Sequence, residues 1–419
     1  MKEKLLHTPE GVRDIYNSEC AMKLTLQNKL HHVLENYGFR DIQTPSFEFF
    51  DIFNQERGTV ASKDMYKFFD RDGHTLVLRP DITPSIARCA AKYYRDENLP
   101  IRLGYIGNTF INNTSYQGKL KEVTQLGAEL INDDTVEADA EMLALTIECL
   151  QQSGLQEFQL EIGEADFLRS LIEEGGFQEE EEVANLRELI EKKNMFGIEE
   201  IISHNNLNEN SKNIFLKLPE LFGSIDKLEL ARELTQNTRA LKSIERLKKI
   251  YDIMNEYGYE KYITFDLGML SKYNYYTGII FKAYTYGTGD AVVTGGRYDN
   301  LVGQFGKEAP AIGLAIVIDQ LMLALSRQKL LPKPEAEDTM ILYKTPFRKQ
   351  AVALANHFRK DGMNTILQMA KGEISMEEYL LYASRMNIGG ILYLDNNREI
   401  KVIHSNGTTQ AVPLEEFLK

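Results

Sequence analysis

Leu78-Arg79-Pro80-Asp81-Ile82-Thr83 brings a guanidinium, a carboxylate and a hydroxyl together at the end of a short apolar stretch. Gln125 and Glu129 stand four positions apart with Gly127 between them. On a helix they would share a face, and on a strand the period of two also puts both on one side. Tyr275-Tyr276-Thr277-Gly278 precedes one apolar stretch, and Gly295-Gly296-Arg297-Tyr298-Asp299 follows another. Taken singly, these are an ordinary structural turn, a packing pair of tyrosines and a tight glycine turn. Taken together, two carboxylates and an amide beside tyrosines suit a small cationic ligand. An ammonium or imidazolium group withdrawn from water needs charged acceptors and gains from aromatic faces.

The remaining residue types exclude more than they suggest. The seven histidines (His7, His31, His32, His74, His204, His357, His404) form no HxxxH or HExxH pattern. Cys20, Cys89 and Cys149 form no CxxC pair, and neither a GxSxG elbow nor a phosphate-loop lysine occurs. No catalytic residue, metal site or cofactor is expected. The 419 residues carry 48 basic and 62 acidic side chains, a net charge of −14. Gripping a long polyanion calls for a basic stripe. Here the densest run, Glu179 to Glu182, is acidic, and Lys242, Arg246, Lys248 and Lys249 read as one exposed helix face. Apolar runs such as Ile312–Val317 fall far short of the ~20 residues of a membrane span. The start, through Leu5-Leu6-His7, lacks a secretory apolar core. A cytoplasmic protein with neither nucleic-acid nor membrane partners is the expectation.

The elements that must position the polar groups follow from periodicity. A helix is expected over about Ser18–Tyr37, closed by Gly38, then an edge strand over Phe39–Pro45. Leu76–Leu78 and Ile101–Ile106 read as strands, Thr135–Leu150 as an amphipathic helix ended by Gly154, and Phe158–Ile162 as the next strand. Residues 165–258 change to charge-rich helical sequence with a single proline, Pro219, and read as a helical insertion. Strands return at Tyr262–Leu267, Ile279–Tyr284 and Ala291–Val293, followed by a buried helix at Ala315–Leu325. Residues 331–339 read as a linker. Residues 340–419 read as a small α/β domain, with a capping box at Ser375 and Glu378 and a hairpin signal at Asn406-Gly407. No internal repeat is found.

The order of these segments resembles the class II aminoacyl-tRNA synthetases, and histidyl-tRNA synthetase in particular. Pro9-Glu10-Gly11-Val12-Arg13-Asp14 resembles that family's opening, and the first helix with Phe39–Pro45 its dimer-forming motif 1. Leu78–Thr83 resembles its amino-acid-contacting segment and Lys119–Glu129 the end of motif 2. Tyr275-Tyr276 resembles its histidine-specific tyrosine pair, Gly295–Asp299 its Gly-Gly-Arg-Tyr-Asp, and Pro310–Ala315 the start of motif 3. The resemblance implies an α+β fold: a core over residues 1–330 with an antiparallel sheet flanked by helices, and a tail in the place of an anticodon-binding domain. It also implies that Asp81, Thr83, Gln125, Glu129, Tyr275 and Tyr276 bind histidine.

Departures from that pattern fall on the ATP side. Where the family carries arginines, this chain has Ile111, Ser271 and Gln320. Neutral side chains cannot make bidentate phosphate contacts, and loss of one such donor typically costs ~100–1000-fold in rate. Lys272 restores a charge without the fork geometry. A histidine-shaped pocket without adenylation chemistry resembles the regulatory-subunit family of ATP phosphoribosyltransferase. That resemblance implies a non-catalytic homodimer within a hetero-oligomer, the short-form catalytic subunit as partner and L-histidine as effector. The alternatives are a histidyl-tRNA synthetase with an atypical site and a translation-regulatory paralogue.

Overall fold

A computed structural model describes residues 6–53, 60–113, 119–177, 179–205, 207, 209–270, 275–331, 338–404 and 407–417. Ser271 and Lys272, most of the 331–339 linker and Asn406 lie outside the described residues. The chain divides into two compact units, Met1–Asp14 with Lys23–Leu331, and Ile15–Met22 with Pro332–Lys419.

The first unit contains strands β1 (Arg40–Asp41), β2 (Phe47–Phe49), β3 (Lys67–Phe69), β4 (Thr75–Leu78), β5 (Ile101–Phe110) and β6 (Glu122–Ile131). After these come β7 (Phe158–Glu164), β8 (Phe222–Gly223), β9 (Ile263–Asp266), β10 (Ile279–Thr285), β11 (Val293–Arg297) and β12 (Ala311–Val317). Among the described residues they form a nine-stranded sheet, β1-β5-β6-β12-β11-β10-β7-β9-β8, and a three-stranded one, β2-β4-β3. Pairing is parallel at β1–β5 and β7–β9 and antiparallel elsewhere, which makes the fold mixed α+β.

Strand β6 shows why the sheet has two unlike faces. Leu126, Ala128 and Leu130 alternate on one side and are fully buried, each large one contributing roughly 1.5–3 kcal/mol. Gln125, Gly127 and Glu129 therefore stand on the other side. The helices Val136–Ser153 and Ile318–Arg327 pack on the sheet at β12, and the second also at β6. Thr135 caps the first of these by accepting from the Ala138 N–H, and Gly154 closes it at φ +102°. Helix Thr238–Glu256 packs on its outer side, so it is buried almost all round.

Three local expectations need correction. The helix expected from Ala315 begins at Ile318, because Ala315 and Ile316 pair with both β6 and β11, and Val317 with β6, as the end of β12. Gly295-Gly296 is not a tight turn but the middle of β11. The glycines are required there because a Cβ at Gly295 would strike the Phe281 ring and one at Gly296 the Tyr276 ring. Arg246 is not simply part of an exposed basic face, since it reaches the fully buried Asp139.

Between β7 and β9 the chain is mostly helical: Ala165–Glu174, Glu180–Glu191, Met195–His204, Glu209–Lys217, Asp226–Leu234 and Thr238–Glu256. In the second unit β13 (Asp338–Tyr343), β14 (Thr365–Met369), β15 (Ile388–Leu394), β16 (Glu399–His404) and β17 (Thr409–Pro413) form a sheet in the order β14-β13-β15-β16-β17. Alternation along β13 sends Ile341 and Tyr343 to one core with Leu354 and Phe358, and Met340 and Leu342 to another with Tyr379 and Ile391. Helix Met376–Arg385 opens with the Ser375–Glu378 capping box.

Candidate functional site

The polar face of β6 meets the turn after β4 and the segment before β10. Asp81 sits just ahead of helix Thr83–Tyr93, whose Pro84 occupies the first turn, where a missing N–H costs nothing. Its Oδ1 accepts from the Thr83 N–H at 3.3 Å, and its Oδ2 accepts from the Tyr275 hydroxyl at 3.0 Å. The Thr83 hydroxyl donates to Glu129 Oε1 at 2.7 Å, and the Tyr298 hydroxyl to Glu129 Oε2 at 2.5 Å. The Tyr275 ring lies 4.8 Å from that of Tyr276 and 5.9 Å, edge to face, from that of Tyr298.

Asp81, Thr83, Gln125, Glu129, Tyr275 and Tyr276 thus line one cavity, together with Thr294, Tyr298 and the β12 segment Gly313–Ala315. Its volume is about 20 Å³, on a measure where one water needs roughly 10–15 Å³. The site is closed on its own hydrogen bonds in this conformation. Gly313 is what lets Glu129 lie flat on the sheet: the two are cross-strand partners, and a Cβ on Gly313 would run into the carboxyl.

The electrostatics are unusual. Glu129 is 1% exposed and Asp81 4%, and among the described residues no cation pairs with either. Burial pushes the Glu129 carboxyl up to about 8, against the hydrogen bonds from Tyr298 and Thr83 and with help from Asp81 nearby. Burial likewise raises Asp81, against the bond from Tyr275. Arg79 does not help, since its guanidinium is spent on Thr44, Pro45 and the Asn108 carbonyl. Gln125 Oε1 is buried with no hydrogen-bond partner among the described residues. Two raised acids, met by hydroxyl donors alone, and an orphaned amide acceptor form a site without positive charge among the described residues. A ligand supplying N–H donors and a cation would satisfy all three.

Of the positions compared with synthetase arginines, Ile111 and Gln320 are not part of this lining. Ile111 follows β5 and donates its N–H to the Lys121 carbonyl, and Gln320 lies half-buried on helix Ile318–Arg327. Ser271 lies outside the described residues.

Residue patterns missed the groups that hold Tyr298. Arg297 donates to Asp139 Oδ1 from Nε (2.8 Å) and Nη2 (2.6 Å), and Nη1 reaches the Asp133 carbonyl and Asp299. Asp139 also accepts from Arg246 on helix Thr238–Glu256. Asp299 in turn accepts from the Thr277 hydroxyl, next to the tyrosine pair. The residues flanking Tyr298 are therefore both anchored, so its hydroxyl is directed at Glu129. The Gly-Gly-Arg-Tyr-Asp string was the signal available; that its arginine needs an acid in the middle of an amphipathic helix was not.

Sequence and structure comparisons identify relatives of this fold. The sequence model of the family "Histidyl-tRNA synthetase" matches residues 11–321. An ATP phosphoribosyltransferase regulatory subunit from Acetivibrio thermocellus is 39% identical over 420 residues, covering 100% of both chains. A crystal structure described as an ATP phosphoribosyltransferase regulatory subunit/histidyl-tRNA synthetase from Bacillus halodurans superposes with a TM-score of 0.83 at 30% identity. That match covers 94% of this chain and 99% of the other. Histidyl-tRNA synthetase from Nostoc sp. PCC 7120 shares the fold, with a TM-score of 0.80 at 20% identity over 98% of each chain. The chain belongs to the ATP phosphoribosyltransferase regulatory subunits, a family built on the histidyl-tRNA synthetase fold.

Proposed function

We propose that this chain is a non-catalytic subunit that associates with the short-form catalytic subunit of ATP phosphoribosyltransferase in the cytoplasm. In this reading it supports the first step of histidine biosynthesis and transmits feedback inhibition by L-histidine bound at Asp81, Thr83, Gln125, Glu129, Tyr275 and Tyr276. The observation that carries the ligand assignment is the cation-free acidic pocket with its unpartnered Gln125 acceptor. Histidine offers an ammonium, which Asp81 would receive in place of the Tyr275 hydroxyl. It also offers an imidazole, whose N–H groups would meet Glu129 and Gln125. The contracted cavity must open to admit it, so the empty and occupied states differ in the Tyr275–Asp81 contact. A ligand that favours one arrangement shifts the population of a complex, which is the linkage feedback requires.

The absence of synthetase chemistry in this reading rests on Ile111, Ser271 and Gln320, none of which carries charge. The dimer through the core, within a larger hetero-oligomer, is part of the same proposal. So is a division of the chain into a core over 1–330, a helical insertion over 165–258 and a tail over 340–419. Isothermal titration of the full chain with L-histidine tests the site. Binding that is lost in Glu129→Ala is expected, and unchanged affinity in that variant removes the pocket from the account. Histidine-dependent pyrophosphate exchange separates the two chemistries: none is expected, and robust exchange would make the chain a synthetase.

A further inference from the structure

A second and roomier cavity, of about 300 Å³, lies on the same face of the sheet, at the lower end of the size range of small-molecule sites. Thr294 in the wall of the first pocket, Lys282 on β10 and Glu161 on β7 are directly opposite one another across the strands. Residues so paired share a face, so the two cavities are neighbours along one row. The far wall of the second comes from the helical segment, through Lys193 and Phe222.

Its lining separates by chemistry. Glu161, Asp266 and, from the helical side, Glu191 supply carboxyls, Lys193 and Lys282 ammoniums, and Phe222 and Met269 an apolar end. Opposite charges facing each other across strands ordinarily close into pairs. Here Glu161 makes no ion pair or hydrogen bond among the described residues, although Lys282 is its cross-strand partner. Lys282 donates instead to the Leu270 carbonyl at 3.0 Å. The Asp266 carboxyl accepts, among the described residues, from the Gly268 N–H at Oδ1. Lys193 stands over the Phe222 ring at 4.5 Å and makes no ion pair among the described residues; its φ of +52° is the left-handed turn that closes helix Glu180–Glu191. Burial raises the Glu161 and Asp266 carboxyls, and each lysine pulls them back down. Donors and acceptors are thus held apart around an open space.

We propose that this cavity is a second ligand site, for a zwitterion of amino-acid size with an apolar side chain. The ammonium sits between Glu161 and Asp266, the carboxylate on Lys193, and the side chain against Phe222 and Met269. Because Lys282 and Thr294 are opposed on β10 and β11, occupancy here bears directly on the wall of the first pocket.

The test is isothermal titration of the full chain with L-leucine, L-methionine and L-phenylalanine in turn, each to about 10 mM, enough to detect millimolar affinity. Binding of at least one is expected, retained in Glu129→Ala and weakened at least about tenfold in Glu161→Gln and in Lys193→Met, the scale of one charge-assisted hydrogen bond. The N-acetylated form of the binding amino acid, which lacks the ammonium, is expected not to bind. Glu161→Gln keeps the shape of the side chain and Lys193 is exposed, so both variants retain the fold, which circular dichroism checks. No binding by any of the three overturns the proposal. So does binding that Glu129→Ala abolishes and Glu161→Gln leaves intact, which would move the ligand to the first pocket. Failure here leaves the histidine titration at Glu129 untouched, and the reverse also holds.

Discussion

Replacing Glu129 by glutamine isolates the cost of an ionisable group in a site without cations. The ordinary pKa of 4.5 applies to the unfolded chain, and burial raises the folded value to about 8. Below pH 4.5 both states hold the proton and there is no penalty. As pH rises, the unfolded chain releases its proton while the folded one keeps it, so stability falls by roughly 1.4 kcal/mol for each pH unit. Above pH 8 both states are ionised and the curve flattens, with a total loss on the order of 5 kcal/mol. Glutamine does not titrate. Its oxygen and NH2 can still serve the Thr83 and Tyr298 hydroxyls, which bond the two Glu129 oxygens at 2.7 and 2.5 Å. Glu129→Gln should therefore become progressively more stable than the parent chain between pH 5 and 8. The chain has no tryptophan, so urea unfolding is best followed by far-ultraviolet circular dichroism at constant ionic strength. The other buried acids, Asp81, Asp139 and Glu164, are present in both chains, so the difference curve reports Glu129. A difference that is flat with pH, or that shrinks toward pH 8, would refute the reasoning.

Further outcomes follow from the same contacts. Glu129 is mostly protonated at pH 7 when the pocket is empty, and a histidine ring that presents two N–H groups takes that proton over, so binding should exchange almost no proton with the buffer. Calorimetric titration in two buffers of different ionisation enthalpy should give matching heats, and heats that differ by the ionisation of about one proton would contradict it. Gly313→Ala should drive the Glu129 carboxyl from its place, costing about 1–3 kcal/mol of overpacking and abolishing histidine binding; a variant with normal melting and normal affinity would disprove the role given to that glycine. Asp139→Ala takes from Arg297, 3% exposed, its bidentate carboxylate and leaves it only Asp299 as an ion-pair partner at 3.2 Å, with an expected loss of up to about 3–5 kcal/mol. A melting curve unchanged from the parent would show that the Arg246–Asp139–Arg297 cluster does not hold the Tyr298 loop.

The sequence made the site's residue types legible because their spacing survives translation into structure. Gln125 and Glu129 share a face on either a helix or a strand, so their convergence did not depend on which was right; β6 decides it as a strand. The capping box at Ser375 and the glycine stop at Gly154 were equally local and hold. What escaped depends on contacts far apart in sequence. Gly295-Gly296 reads as a turn until the rings of Phe281 and Tyr276, brought by neighbouring segments, are seen to need the space. Arg246 reads as one more surface cation until Asp139 is found buried beneath it. Tyr298 was visible in its motif, but its bond to Glu129 spans 169 positions. The end of β12 reads as helix because Ala315–Leu325 is apolar except at Asp319 and Gln320, and periodicity cannot separate a buried strand from a buried helix.

The role proposed for the pocket around Glu129 is to sense histidine on behalf of a phosphoribosyltransferase. The most direct measurement is the rate of a short-form ATP phosphoribosyltransferase catalytic subunit, titrated with L-histidine, alone and after mixing with this chain or with Glu129→Ala. The chain is expected to raise the rate, histidine then to lower it, and Glu129→Ala still to activate but no longer to confer inhibition. A catalytic subunit indifferent to the chain, or a Glu129→Ala complex inhibited as strongly as the parent, would contradict that role.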